Sequence, residues 1–274
     1  MTTHATTHQF LSDLPANTYV EGVYNVVNPQ LGKTRAGKPY LKCLIRDATG
    51  EMACRKWNVD EQQFADVGGT GFVWICGHTQ TYNEQVQLIV EDIRSAEVSP
   101  EDLAQLLPTT RRDIDDMYRQ LTDLLGTLEH PAMRALADAY LADETLMEKF
   151  RIAPAAVSMH HAWLGGLLEH TLQLMQLADS MLPLYPRLNR DLVLMGLFLH
   201  DLGKVAELTW ERGFDYTTDG NLIGHLVRSA IWVQFKAVVA GKQSGHKVPP
   251  DAVRVLQHII ISSHDRPEYG AAKV

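Results

Sequence analysis

The chain has 274 residues, 45% of them hydrophobic, and its 25 Lys and Arg against 33 Asp and Glu give a net charge of −8. This length suits one large domain or two ordinary ones, and the apolar content excludes a largely disordered chain. Without a leader-like start or an apolar run of membrane-spanning length, the protein is expected to be cytoplasmic, with no membrane partner. Three widely spaced cysteines, Cys43, Cys54 and Cys76, argue against a disulfide framework and a paired-cysteine zinc site.

Basic residues are concentrated in the segment 32–56, which carries +5 while the remainder of the chain carries −13. A negative protein repels polyanions, so any contact with nucleic acid is expected on this segment or through bound cations. The basic residues of the segment are Lys33, Arg35, Lys38, Lys42, Arg46, Arg55 and Lys56.

Residues 17–93 show the alternation and the β-branched and aromatic content of five short strands. The stretch "VDEQQFADVG", between the third and fourth strands, predicts a short helix that ends at two glycines. Five strands with a helix in that place are the element order of an OB-fold, a small Greek-key barrel. We therefore predict an OB-like nucleic-acid-binding barrel over residues 10–95.

One face of this barrel combines cations with aromatic rings. On the second strand Leu41, Cys43 and Ile45 share the opposite face. An unstacked nucleic-acid strand needs charge for its phosphates and flat rings for its bases. The solvated outer face of any barrel would give the same pattern, so both interpretations stay open. The nucleic-acid-binding candidates are Lys33, Arg35, Lys38, Tyr40, Lys42, Arg46, Arg55 and Trp57.

From about residue 96 the apolar spacing changes to three and four residues, which predicts helices. Residues 96–153 are predicted to form a helical connector that packs on the following domain. Four longer helices are expected over 164–181, 187–205, 222–239 and 251–263, within an all-α bundle that occupies 154–274. The predicted fold class is therefore a two-domain protein, with an N-terminal five-stranded OB-like β-barrel followed by an all-α helical bundle.

Histidines and one aspartate interrupt the apolar pattern of these four helices. Such groups are costly to bury unless something binds them. If the helices converge, they bring imidazoles and a carboxylate to one interior point. Imidazole nitrogen and carboxylate oxygen suit Mn, Fe, Co or Zn, whereas an all-oxygen set would suit Mg or Ca. The candidate metal ligands are His170, His200, Asp201, His225 and His264.

The motifs around these residues are "GGLLEHT", "HDLGK", "YTTDGNLIGH" and "SSHDRPEYG", and they resemble those of the HD-domain metal-dependent phosphohydrolases. Together with the N-terminal barrel, they resemble the YhaM family of bacterial 3'-to-5' exoribonucleases over residues 18–270. The resemblance implies that the bundle is an HD domain and that the five candidates bind one or two divalent ions. Mn is the first expectation, with Fe, Co or Zn as alternatives, and Asp201 is implied to be the bridging ligand.

Asp201 and Lys204 are the predicted catalytic residues. Lys204 lies one turn after Asp201, so its ammonium can face the same cavity and hold a phosphate oxygen as negative charge grows. The alternative for Lys204 is a lysine that the helix dipole stabilises at a helix C-terminus. His160 and His161 precede the "GGLLEH" run. They are interpreted either as neighbours of the substrate phosphate or as surface residues at the helix start.

Two departures from the family pattern concern the end of the sequence. Family members carry a His-His pair where this chain has Ser263 and His264. They also continue into a helix with a late aspartate ligand, so we expect this sequence to be truncated at the C-terminus relative to the family.

The resemblance implies an exoribonuclease that releases nucleoside 5'-monophosphates stepwise from the 3' end of single-stranded RNA, with single-stranded DNA as a further candidate. Two alternatives stay open. One is an HD-type phosphodiesterase or phosphatase that acts on cyclic or free nucleotides, and the other is a non-catalytic single-strand nucleic-acid-binding protein. The expected partner is single-stranded RNA or DNA, and an acidic body beside a basic barrel face would also permit a homo-oligomer.

Overall fold

The structure is a computed structural model that describes residues 8–68, 71–99, 101–158 and 160–264. The chain divides into two compact units. The barrel unit comprises Met1–Thr109 with Glu211–Gly213, and the helical unit comprises Thr110–Trp210 with Phe214–Val274. Most of the "SSHDRPEYG" motif lies outside the described residues.

Within the described residues, the barrel unit contains five strands and two α-helices, preceded by one 3-10 turn at Leu11–Asp13. They are β1 (Tyr19–Lys33), β2 (Pro39–Arg46), β3 (Glu51–Trp57), α1 (Glu61–Gly68), β4 (Phe72–Tyr82), β5 (Gln85–Ser95) and α2 (Leu103–Leu106). The strands form a closed barrel in the order β1-β2-β3-β5-β4. The β3–β5 pair is parallel and the others are antiparallel. The predicted five-stranded OB-like barrel is confirmed, including the helix between its third and fourth strands.

Alternation along β2 places the barrel core as predicted. Leu41, Cys43 and Ile45 are buried, whereas Lys42 between them is exposed. Cys43 lies directly opposite Cys54 of β3, and both are buried free thiols. The inward side of the strand is therefore apolar, and its polar side is available for other contacts.

The division between the two units falls at residues 109 and 110, later than the predicted barrel boundary at residue 95. The short helix α2 belongs to the barrel unit because it packs there. Leu103 and Leu106 are buried, and the carbonyl oxygen of Gln105 accepts a hydrogen bond of 3.0 Å from the amide of Ala48, after β2.

The helical unit is built from nine helices and one small hairpin within the described residues. The helices are α3 (Ile114–Gly126), α4 (Pro131–Leu141), α5 (Glu144–Ile152), α6 (Gly166–Met181), α7 (Arg190–Leu199), α8 (Lys204–Glu207), α9 (Thr218–Leu222), α10 (His225–Ser244) and α11 (Pro250–Ile261). The hairpin pairs β6 (Leu208–Thr209) with β7 (Asp215–Tyr216). The apolar core contains buried Leu172, Phe198, Val233 and Leu256 from four different helices.

The predicted single helix over 187–205 is wrong in its second half. Helix α7 ends at Leu199, the residues 200–203 form turns, and α8 starts at Lys204. Gly203 lets this turn lie close to α10, because a Cβ there would lie 2.3 Å from the carbonyl oxygen of His225. Its amide instead donates a 2.8 Å hydrogen bond to Ser229 Oγ of α10. The turn thus brings α8 directly against the start of α10.

The third long helix starts at His225, not at residue 222. Gly224 precedes it with φ 74°, a left-handed value that other residues adopt with strain. The predicted start at residue 222 is wrong because the apolar spacing of a helix does not show where a single residue adopts a positive φ. Among the described residues no helix is both long and apolar enough to cross a membrane.

Candidate metal centre and nucleic-acid interface

The structure brings the five predicted metal ligands together inside the helical unit. His170 lies in the second turn of α6, and His200 and Asp201 directly follow α7. His225 is the first residue of α10, and His264 follows the end of α11. Four separate stretches of the chain therefore supply the site.

Asp201 lies at the centre of this arrangement and is 4% exposed. Its Oδ2 lies 3.5 Å from His170 Nε2 and 3.4 Å from His200 Nε2. Its Oδ1 lies 3.5 Å from His225 Nε2, which in turn lies 2.9 Å from His264 Nε2. The carboxylate thus has imidazoles on both of its oxygens.

The donor atoms fall into two groups that share Asp201. His170, His200 and Asp201 form one group, and Asp201, His225 and His264 form the other, with ligand atoms within 4.8 Å of one another in each. Within the described chain, Asp201 Oδ1 is buried without a hydrogen-bond partner, a costly state for a carboxylate oxygen. These residues fit one or two divalent transition-metal ions, and Asp201 stands where a ligand common to both groups would stand.

Two of the imidazoles are held in an orientation that suits a metal ligand. His200 Nδ1 lies 2.7 Å from the carbonyl oxygen of Leu197, and His225 Nδ1 lies 2.7 Å from Glu207 Oε2. Both partners accept hydrogen bonds only, so each Nδ1 carries a proton, and each Nε2 is the nitrogen that faces Asp201 and would face a bound ion.

Glu207 is a residue of the site that the sequence interpretation missed. Besides the contact with His225 Nδ1, its Oε1 accepts a 3.2 Å hydrogen bond from the backbone amide of His225. The available signal was a carboxylate one turn after Lys204 in the short α8, which is weak because helix surfaces often carry glutamate. Glu207 fixes both the ring and the start of α10.

The electrostatics of the cluster favour an ionised aspartate. Burial opposes this by raising the pKa of Asp201, but the hydrogen bond and charge of His200, together with the charges of Lys204 and His225, hold that pKa well below its usual range. Burial lowers the pKa of His170 to about 4. His170 is therefore neutral at neutral pH and offers a lone pair.

Lys204 lies beside Asp201 in the same cavity. Its Nζ is 2.8 Å from Asp201 Oδ2, and its side chain lines the same cavity as the histidines. The alternative assumed a lysine near the end of a long helix, whereas Lys204 begins the one-turn helix α8.

The cluster opens into a cavity of about 1220 Å³. This exceeds the roughly 300–1,000 Å³ of small-molecule clefts. Leu174, Leu197 and Ile259 give it an apolar wall, while Tyr216 and His258 add groups that the sequence interpretation did not identify. His160 and His161, which the interpretation left between two roles, both line the cavity.

On the barrel, two of the predicted aromatic residues form a platform. Tyr40 and Trp57 are cross-strand partners, and their ring centroids are 5.2 Å apart. A Cβ at Gly32 would lie 2.6 Å from the Tyr40 ring, so the glycine lets this ring lie across β1. Trp57 is 42% exposed, which leaves a flat surface open to solvent.

Cations lie beside this platform. Lys42 and Arg55 are directly opposite each other on β2 and β3, an arrangement that is unfavourable unless an anion or another group compensates. The Arg55 guanidinium lies 5.1 Å from the ring centroid of Tyr82, which the sequence interpretation did not include. Arg46 is less available, because it forms an ion pair with Glu51.

The remaining predicted cations occupy the connection between β1 and β2. Lys33 ends β1, and Arg35 and Lys38 are exposed in the turn that follows. Gly37 adopts φ 77° in this turn, and the amide of Thr34 donates to the carbonyl of Lys38 at 2.9 Å. All eight predicted residues therefore lie on the outer surface of the barrel or in its first turn.

Fold and site together define a protein in which a closed OB-like barrel precedes a helical unit with a candidate His/Asp metal centre. The chain is 32% identical over 246 residues to the 3'-5' exoribonuclease YhaM of Listeria monocytogenes serotype 4b (strain CLIP80459), a match that covers 88% of this chain and 75% of the relative. It is 31% identical over 241 residues to the protein of the same name from Bacillus licheniformis, covering 86% and 73%. The chain belongs to the YhaM family of 3'-5' exoribonucleases and is an enzyme, which confirms the resemblance.

Two other comparisons add nothing to the family assignment. No family model matches the chain. Among solved structures, the second OB-fold domain of replication protein A from Methanococcus maripaludis aligns with 34% of this chain and 98% of its own, at 18% identity and a TM-score of 0.27. The assignment of the barrel rests on the strand order of this chain itself.

Proposed function

We propose that the chain is a metal-dependent 3'-to-5' exoribonuclease that hydrolyses single-stranded RNA, and secondarily single-stranded DNA, to nucleoside 5'-monophosphates. The observation that carries the proposal is the pair of His/Asp groups that share Asp201 at the end of a large cavity. Membership of the YhaM family supports the substrate and the direction. Under this proposal residues 154–274 act as an HD-type phosphohydrolase domain, with 96–153 as its connector.

The ligand chemistry supports a transition metal, and Mn is the ion that we propose first, ahead of Fe, Co and Zn. His170, His200, Asp201, His225 and His264 would hold one or two such ions. A divalent ion bound there supplies Lewis acidity to a phosphoryl oxygen and lowers the pKa of a water molecule. Asp201 keeps its negative charge at the centre of the imidazoles, and the hydrogen bonds at Nδ1 hold the rings of His200 and His225 with Nε2 toward it.

Lys204 is proposed to stabilise charge on the phosphate. In the structure its ammonium is 2.8 Å from Asp201 Oδ2 and lines the cavity. A flexible side chain in this position can turn one of its three donors to a non-bridging phosphate oxygen. Negative charge grows on that oxygen in the transition state, so the interaction lowers the barrier.

The barrel is proposed to retain the strand. Tyr40 and Trp57 offer rings for base stacking, and Lys42 and Arg55 offer charge for the phosphates between them. Contacts of this kind tolerate any base sequence, because every base has a flat face and every linkage a phosphate. A nuclease that shortens RNA stepwise needs this tolerance.

The test is an end-labelled single-stranded RNA incubated with the purified chain and Mn²⁺, or with chelator, and resolved on a denaturing gel. A metal-dependent ladder that shortens from the 3' end supports the proposal. An RNA that is bound but stays intact in Mn²⁺ would identify a single-strand-binding protein. Hydrolysis of cyclic or free nucleotides with no RNA binding would identify a nucleotide phosphohydrolase.

A further inference from the structure

His161 has an unusual backbone conformation beside the metal cluster. Its φ is 55°, in the left-handed region that few residues other than glycine occupy. Two contacts hold it there: its carbonyl oxygen accepts a 3.0 Å hydrogen bond from the amide of Ala155, and Gly166 leaves room for that oxygen, from which a Cβ would be only 2.2 Å away. Backbone strain that the surroundings maintain often marks a functional position.

The imidazole of His161 lies against the cluster, and one of its two nitrogens lacks a hydrogen-bond partner in the described part of the chain. Its ring centroid lies 5.3 Å from that of His170 and 4.9 Å from that of Trp163. Its Nδ1 is buried without a hydrogen-bond partner within the described chain. The side chain also lines the cavity that contains Asp201 and Lys204.

The state of the ring follows from this placement. A buried N–H without an acceptor is rarer in proteins than an unsatisfied lone pair, so Nδ1 is best occupied by the lone pair. The proton then lies on Nε2, at the opposite edge of the ring. Because the side chain lines the cavity that also contains the metal ligands and Lys204, an N–H donor on it suits an anionic oxygen there.

We propose that His161 is a substrate-binding residue whose Nε2–H donates a hydrogen bond to a non-bridging oxygen of the phosphate at the metal centre. The inference deepens the proposed function and rests on it for the identity of the phosphate as the terminal linkage of RNA. His161 and Lys204 would then both contact the phosphate, since both line this cavity.

The test compares three variants of the full chain. His161→Phe keeps a planar ring without the donor, and His161→Asn keeps a residue type that tolerates the left-handed backbone but is too short to reach. His246→Phe is the matched control, because this exposed histidine lies in the segment after α10 and outside the cavity. Calorimetry measures the affinity of each Mn²⁺-loaded protein for inorganic phosphate, and a separate titration measures Mn²⁺ affinity.

We expect both His161 variants to bind phosphate about tenfold more weakly, because each loses one hydrogen bond to a charged group. Their Mn²⁺ affinity should be unchanged, and the control should match the wild type in both measurements. RNA with a phosphorothioate at the 3'-terminal linkage gives a second readout. Sulfur accepts a hydrogen bond more weakly than oxygen, so the wild type should hydrolyse the phosphorothioate RNA more slowly than the normal RNA. This difference in hydrolysis rate should be smaller in His161→Phe, which has no hydrogen bond to lose.

Unchanged phosphate affinity in both variants would overturn the inference. So would a parallel loss of Mn²⁺ affinity, which would show that His161 only supports His170. A wild-type chain that leaves RNA intact but binds phosphate through His161 would refute the proposed function and uphold the assignment of the phosphate contact, so the two failures can be told apart.

Discussion

Glu207 accepts two hydrogen bonds from His225, at 2.7 Å from the ring Nδ1 to Oε2 and at 3.2 Å from the backbone amide to Oε1. The carboxylate therefore sets the tautomer of the imidazole and anchors the first residue of α10. Partners of this kind orient metal-binding histidines and increase their basicity.

Glu207→Ala is expected to weaken Mn²⁺ binding by about 10–100-fold, the usual effect of removing such a partner. Calorimetric titration of the purified protein measures it. Glu148→Ala is the matched control, because Glu148 is an exposed carboxylate on α5 away from the cluster. Equal Mn²⁺ affinity in the Glu207 and Glu148 variants would show that the contact does not orient a metal ligand.

Asp201→Asn is expected to abolish RNA hydrolysis and to leave RNA binding unchanged. The amide keeps the shape of the side chain but removes the charge that lies between the two groups of histidines, whereas strand retention is assigned to the barrel. The gel assay measures hydrolysis, and fluorescence anisotropy with labelled RNA measures binding. Hydrolysis at the wild-type rate would exclude the proposed centre.

Trp57→Ala is expected to reduce the affinity for single-stranded RNA by about 1–3 kcal/mol, the contribution of one stacked base. The ring is exposed and lies beside Tyr40, so it stabilises no buried core. Tyr185→Ala, which removes an exposed ring from the helical unit, should leave the affinity unchanged. If both variants lose affinity alike, the platform is not a specific binding surface.

Lys42→Ala is expected to alter the salt dependence of RNA binding more than its sequence dependence. Within the described chain Lys42 forms no ion pair, and it faces Arg55 across the strand pair, so a phosphate is its natural partner. The slope of log affinity against log salt should fall by about 0.7, the value for one phosphate contact on a single strand. Anisotropy at four salt concentrations measures the slope, with exposed Lys149→Ala as control.

Asp47 is expected to make the stability of the barrel sensitive to acid. It is fully buried and accepts hydrogen bonds of 2.7 Å from the amides of Leu11 and Thr49. Burial alone would raise its pKa, but hydrogen bonds from His8, Thr49 and Leu11 hold that pKa below the ordinary value of an aspartate. The unfolded chain then binds more protons than the folded one in this range, so stability is lost as pH falls below about 4.

Asp47→Asn should lower the free energy of unfolding of the barrel at pH 7 by about 2 kcal/mol, because it removes hydrogen bonds to a charged group. The difference from the wild type should shrink toward pH 3, where the carboxyl also becomes protonated. Hydrogen exchange of peptides from β1 to β5, followed by mass spectrometry, reports on the barrel within the intact chain. A constant difference from pH 7 to pH 3 would contradict the assignment, and Glu97→Gln at an exposed site is the control.

The barrel and its two faces could be predicted because strand burial follows a period of two, which Leu41, Cys43 and Ile45 display directly. The five clustered ligands could be proposed because imidazoles and a carboxylate inside apolar helices need a partner. The turn after Leu199 could not be predicted from periodicity, because apolar spacing does not show that Gly203 lies against His225 of α10. The role of Glu207 could not be predicted either, because its partner His225 lies on another helix.

The four stretches that supply the cluster are brought together by the packing of α6, α7, α10 and α11. An unfolded chain has no equivalent of this arrangement, so an ion that binds the folded helical unit also opposes its unfolding. At a free ion concentration one hundred times the dissociation constant, the gain is about 2.7 kcal/mol. Under the proposed function, the thermal stability of the helical unit would therefore rise with the concentration of the free ion, and a shortage of the ion would lower the amount of folded enzyme as well as its activity.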